Sequence, residues 1–127
     1  MAVKVVIADD NGLFRTALEA ILDSEEGIEV VGRATDGEEA AAVVAERSPD
    51  VVLMDLSMPV LDGFEATRRI RSETPGTSVV VLTGSLDETD MHRAADAGAV
   101  AYVTKDRILS DLVDAIVAAA AGRGSLS

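Results

Sequence analysis

Asp55 closes the apolar run 51–54 (Val-Val-Leu-Met) and opens the string Asp-Leu-Ser-Met-Pro-Val-Leu-Asp-Gly, with turn residues at Pro59 and Gly63. Another apolar run, Val3–Ala8, leads into Asp9-Asp10, and two later runs lead into Thr83-Gly84 and Thr104-Lys105. A lone carboxylate at such a place is usually a helix cap. Three of them, with a hydroxyl and an ammonium at equivalent exits, form a set that can handle phosphate. Two carboxylates ~4 Å apart repel by about 4 kcal/mol at an effective dielectric of about 20, so three need a cation among them. Lys105 cannot balance them alone. An all-oxygen donor set without His or Cys suits a hard ion such as Mg²⁺, which would let a carboxylate attack phosphorus. The Thr83 hydroxyl and Lys105 could then each meet a phosphoryl oxygen, and Gly84 leaves room beside the phosphorus.

Positioning these groups requires strands that end at one edge. Five short Val-rich runs recur, at Val3–Ala8, Ile28–Ala34, 51–54, 78–82 and 100–103. Most are continuous rather than alternating, as in strands covered on both faces of a parallel sheet. Helical spacing fills the gaps. Leu13, Ala17, Ile21 and Leu22 mark the first helix. Asp36 with Glu39 opens the second in capping-box spacing, with Pro49 beyond its end, and Asp62 with Glu65 opens the third. The fourth helix is expected over Glu88–Ala97, stopped by Gly98, and the fifth over 108–121, before Gly122. Five strand–helix alternations predict an open, doubly wound α/β fold. With strand order 2-1-3-4-5, the four chemically equipped exits become contiguous, which is where such folds bind ligands.

Composition narrows the function further. The chain has 127 residues, enough for one domain, with a net charge of −12, no cysteine and only three aromatic residues (Phe14, Phe64, Tyr102). The charge argues against a nucleic-acid surface on this domain. The lack of cysteine removes disulfides, thiolate metal sites and cysteine nucleophiles. No apolar run approaches the ~20 residues of a membrane span, so a cytoplasmic protein without membrane contact is expected. No Gly-rich phosphate loop follows the first run. His92, the only histidine, is expected on the surface of the fourth helix. Arg68, Arg69 and Arg71 are read as a solvated helix face, and the alanines at 118–121 as a helix packed closely on the sheet.

Asp9-Asp10, the string from Asp55 to Gly63, Thr83, Tyr102 and Lys105, in this order and spacing, resemble the receiver domain of two-component response regulators over essentially the whole chain. The resemblance implies that Asp55 is the phosphoacceptor. Asp10 would be a direct Mg²⁺ ligand, Asp9 would contribute through water, and the backbone carbonyl of Ser57 would be a further ligand. Thr83 and Lys105 would hold the phosphoryl group, and Tyr102 would be the switch aromatic that turns inward as Thr83 moves. The implied phosphodonor is a sensor histidine kinase or a small molecule. Catalysis would be limited to the chain's own phosphotransfer and autodephosphorylation, with a homodimer forming on phosphorylation.

The run 102–106 (Tyr-Val-Thr-Lys-Asp) and the ending are similar to the LuxR/NarL/FixJ class. A receiver over 1–121 would then lead through 122–127, as linker or frayed end, into a helix-turn-helix domain that makes the DNA contact. A stand-alone receiver working by protein contact is the alternative. Asp106 follows Lys105 where many receivers have proline, so a cis peptide is not assumed there. Ser57 and Ser85 occupy positions that tune autodephosphorylation in the family. An aspartyl-phosphate phosphohydrolase is disfavoured because its general-acid position holds Ser57. A purely metal-binding module would leave Thr83 and Lys105 without a purpose.

Overall fold

The fold was analysed in a computed structural model that describes residues 2–58, 60–84 and 87–125, with side chains to residue 121. Five strands, β1 (Val3–Ala8), β2 (Ile28–Ala34), β3 (Val51–Asp55), β4 (Ser78–Thr83) and β5 (Ala101–Thr104), form one parallel sheet in the order β2-β1-β3-β4-β5. The helices are α1 (Gly12–Asp23), α2 (Gly37–Arg47), α3 (Gly63–Glu73), α4 (Glu88–Ala97) and α5 (Ile108–Ser125), with a 3₁₀ turn at Lys105–Arg107 before α5. The expected architecture and strand order are the ones found.

Side-chain alternation along the strands divides the core in two. Val6, Ala8, Val52, Met54, Val79 and Val81 face a layer containing Ala40 and Val44 of α2, Phe64 and Ile70 of α3, and Ala94 of α4. Val5, Ile7, Leu53, Val80 and Leu82 face Leu18 and Leu22 of α1 and Ile108, Leu112 and Ile116 of α5. The central strands β3 and β4 are buried throughout, which explains their unbroken apolar sequence. Each large aliphatic side chain fully buried this way stabilises the fold by about 1.5–3 kcal/mol.

The helix starts follow the expected caps. Asp36 Oδ1 accepts the Glu39 N–H at 2.8 Å, and Asp62 Oδ1 accepts the Glu65 N–H at 3.0 Å. The Glu39 carboxylate reaches back to the Thr35 N–H rather than to Asp36, and Glu65 pairs with Arg68 instead of closing a box. Gly98 ends α4 with φ 112°, a left-handed conformation that favours glycine. His92 is exposed. Arg68 and Arg69 pair with Glu65 and Glu73 on an exposed face as expected, whereas Arg71 is partly buried and donates to the carbonyls of Pro75 and Thr77.

Three local expectations change. The buried stripe of α1 is Leu18 and Leu22 with Phe14 and Ile21 beside them, whereas Leu13 is 87% exposed and Ala17 faces solvent. β5 begins at Ala101, not Val100, which is half-exposed. α5 continues through Gly122 to Ser125, because glycine costs a helix only about 1 kcal/mol and does not by itself stop it. In its alanine run only Ala119 is buried, while Ala118 and Ala121 are exposed. Pro59, Ser85 and Ser127 lie outside the described residues.

Candidate functional site

The carboxyl ends of β1, β3, β4 and β5 bring Asp9-Asp10, Asp55, Thr83 and Lys105 to one edge of the sheet. The register fixes how they meet. Ala8 lies opposite Met54, Asp55 opposite Leu82, and Thr83 opposite Thr104, so each strand delivers its reactive residue at nearly the same height. Carboxylate oxygens of Asp9, Asp10 and Asp55 all lie within 4.8 Å of one another. Asp9 is fully buried, Asp55 is 5% exposed, and Asp10 is open to solvent.

Asp9 is held by the turn into α1. Its own N–H donates to the Ala34 carbonyl at 3.0 Å, and its Oδ1 accepts the Asn11 N–H at 2.8 Å. Asn11 is the N-cap of α1, its Oδ1 accepting the Phe14 N–H at 3.1 Å. Arg15 returns from the first turn and donates through Nη1 to the Asp9 carbonyl at 2.7 Å. The other carboxylate oxygen, Asp9 Oδ2, is buried without a hydrogen-bond donor. Lys105 Nζ stands 3.4 Å from it, an ion-pair contact without hydrogen-bond alignment, and 3.8 Å from Asp55 Oδ1. A buried carboxylate oxygen with its donor position open, facing two further carboxylates, suits a hard cation; the residues fit Mg²⁺.

Asp55 accepts the Ser57 N–H on Oδ1 at 3.3 Å. Burial, and then the neighbouring charge of Asp9, push its carboxyl pKa above the usual range; the Ser57 N–H and Lys105 oppose them, and Asp10 adds a small upward push. The group is therefore a basic carboxylate whose charge lacks full compensation from the protein. Gly63 lets α3 begin directly against it. A Cβ at Gly63 would come within 2.5 Å of the Asp55 carbonyl oxygen and 2.7 Å of Leu56 Cα. That glycine, expected as a turn residue, is the first residue of the helix.

Thr83 is buried at the end of β4, and a Cβ on Gly84 would meet no atom within 4 Å. Tyr102 lies on β5 opposite Val81 and is partly buried. It lines a cavity of about 410 Å³ shared with Gly84, Asp106, Arg107 and Asp111. It also lines one of about 190 Å³ shared with Met91, Ala94 and Val100. Among the described residues no peptide bond is cis, the one after Lys105 included. Sequence reasoning missed Asn11, Phe14 and Arg15. The Asn11 cap had a visible signal, a capping residue three before Phe14, but the contacts of Phe14 and Arg15 follow from how the loop folds.

No described helix is long and apolar enough to cross a membrane. The family model for the response regulator receiver domain matches residues 5–117. The transcriptional regulatory protein LiaR of Bacillus subtilis is 39% identical over 124 residues, which cover 98% of this chain and 59% of the relative. The response regulator protein VraR of Staphylococcus epidermidis is 39% identical over 116 residues, 91% of this chain and 56% of the relative. The chain thus spans somewhat more than half the length of these relatives. Among solved structures, the receiver domain of the putative response regulator NarL from Mycobacterium tuberculosis superposes with a TM-score of 0.91 at 31% identity, covering 95% of this chain and 98% of that one. A LuxR-family two-component response regulator from Aurantimonas gives a TM-score of 0.91 at 34% identity, covering 97% and 88%. With the acidic cluster and lysine at the strand exits and a family match over most of its length, the chain belongs to the response regulator receiver domains.

Proposed function

We propose that Asp55 is the phosphoacceptor of this receiver and that its phosphorylation is the switch of a longer transcription regulator. The observation that carries the reading is a nearly buried carboxylate, raised in basicity, with a second buried carboxylate and the Lys105 ammonium within reach of it. An Asp55 carboxylate oxygen attacks the phosphorus of a phosphohistidine on a sensor kinase, or of a small acyl phosphate. The P–N or P–O bond breaks, and the leaving group departs with its electron pair. Asp9, Asp10 and Asp55, with the Ser57 carbonyl, would hold Mg²⁺. When bound, the ion supplies charge neutralisation between the carboxylates and the phosphoryl oxygens. Lys105 pairs with one phosphoryl oxygen and Thr83 donates its hydroxyl to another, at Gly84, where the backbone leaves space. Catalysis is confined to this phosphotransfer and the later hydrolysis of the acyl phosphate.

The energy available is adequate for switching. Moving a two-state equilibrium from 1:99 to 99:1 takes ~5.5 kcal/mol of differential interaction. A charge-assisted hydrogen bond from Thr83 supplies ~1.5–3 kcal/mol, and the Lys105 pair adds to it. Drawing Thr83 toward the phosphoryl group lets Tyr102 turn inward, remodelling the face of α4 and β5. The longer relatives, one named a transcriptional regulatory protein, support an output domain following the receiver. By analogy with the LuxR/NarL/FixJ class, that domain is a helix-turn-helix, DNA is bound only through it, and phosphorylation favours a homodimer. Incubation with acetyl phosphate and Mg²⁺, read by intact mass, tests the acceptor. Wild type gains a phosphoryl group and Asp55→Asn gains none; an equal gain in the variant refutes the assignment.

A further inference from the structure

We propose that Phe14 is a positioning residue for Lys105: its ring holds the ammonium beside Asp55 before any phosphoryl group arrives. The inference rests on the phosphoacceptor reading of Asp55 and adds a residue to that site. Lys105 Nζ lies 4.3 Å from the centroid of the Phe14 ring, 3.4 Å from Asp9 Oδ2 and 3.8 Å from Asp55 Oδ1. Two carboxylates attract the ammonium, and the π-face is a third neighbour that a cation favours. Left to itself, a lysine on a short 3₁₀ turn, with its side chain 26% exposed, would spread over many rotamers of its flexible stem. With the ring in place, a phosphoryl group forming on Asp55 meets a cation already at hand, so less ordering remains to be done during transfer.

The local sequence explains why the ring is available. Asn11 caps α1 through the Phe14 N–H and so fixes where the helix begins. That phase turns Leu13 outward, 87% exposed, and lays the next residue against the α1–α5 side of the core, near Lys105. A mere core filler at this half-buried position could be any large aliphatic residue. An aromatic ring adds a face that a cation can meet, which an aliphatic side chain lacks.

Substitution separates these two roles. Proton NMR of the metal-free chain should show the Lys105 ε-protons shifted upfield by the ring in wild type and Phe14→Tyr, and not in Phe14→Leu. With acetyl phosphate and Mg²⁺, Phe14→Leu should label about fivefold more slowly, and Phe14→Tyr should stay within about twofold of wild type, the scale expected of a partly solvated cation–π contact. Equal labelling rates for Phe14→Leu and wild type would overturn the inference, as would a Tyr variant as slow as the Leu variant. If Phe14→Leu does not fold, a ring-fluorinated phenylalanine at position 14 keeps the shape but weakens the π-face. Slower labelling then supports the proposal and an unchanged rate overturns it. A wild-type chain that takes no label overturns the phosphoacceptor reading instead, and the ring shift alone then decides whether Phe14 holds Lys105.

Discussion

The two sides of the acidic edge are built differently, although both rest on the same sheet. On the β1–α1 side, α1 buries Leu18 and Leu22, and the Asp9 backbone and carboxylate are tied to Ala34, Asn11 and Arg15. On the β4–α4–β5 side, α4 buries only Ala94 and Ala97, with Met91 39% and Val100 51% exposed. Tyr102 stands there between two cavities. Replacing leucine anchors by alanines forfeits roughly 2 kcal/mol of burial per residue. Yet α4 is well capped, Asp87 accepting from the N–H groups of Thr89 and Asp90, and Gly98 closing the other end. A helix that is internally sound but lightly anchored is suited to shift as a body. On the proposed reading, the tightly packed side carries the acidic cluster, and the lightly packed side would carry the report.

Truncating an anchor on each side should affect the two halves very differently. Leu18→Ala should cost about 3 kcal/mol in urea unfolding, through lost burial and the cavity left behind. Met91→Ala should cost under about 0.5 kcal/mol. Similar losses in both would mean that α4 is anchored as firmly as α1.

Thr83→Ala separates receipt from report. It should still take the phosphoryl group on Asp55 but lose the phosphorylation-dependent change in amide exchange along α4 and β5. A retained change would show that the signal leaves the site by another route.

A subtler effect comes from pH in the metal-free chain. Because burial and Asp9 hold the Asp55 carboxyl above its usual range, the folded chain binds more protons than the unfolded one between the unfolded and folded pKa values. Stability therefore falls as pH rises through that window, and the whole cost is present above it. Asp55→Asn removes the charge and should raise the melting temperature at neutral pH. The gain should shrink as pH falls through the raised folded value and vanish below the unfolded one. A gain that grew on acidification would contradict the assigned cause. Arg93→Ala removes the guanidinium lying 3.8 Å over the Phe64 ring, a tether between α4 and α3. A loss of about 0.5–1 kcal/mol is expected by thermal unfolding, with Asp55 labelling unchanged.

How much of this was legible in the chain depends on what each feature needs. Buried parallel strands need continuous apolar residues, so β3 and β4 and their reactive ends Asp55 and Thr83 could be read directly. The phase of α1 could not. Leu13, Ala17 and Ile21 also make an acceptable stripe, and only the Asn11 cap, which sets the start of the helix, selects Phe14, Leu18, Ile21 and Leu22. Val100 and Ala101 are equally apolar, so the start of β5 had to come from its pairing with Val80. Gly122 resembled a stop signal but carries no obligatory turn. The approach of Lys105 to Asp9 and Asp55 followed from the strand order, whereas its contact with the Phe14 ring joins segments far apart in sequence that spacing alone does not relate.

On the proposed mechanism the phosphoryl group lands on Asp55. Phosphorylating the chain with acetyl phosphate in the presence of Mg²⁺, reducing the acyl phosphate with borohydride and sequencing the peptides by mass spectrometry tests it most directly. The expected result is conversion of Asp55 alone, absent when the metal is chelated. Conversion at Asp9 or Asp10, or label retained at another residue in Asp55→Asn at the wild-type rate, would contradict it.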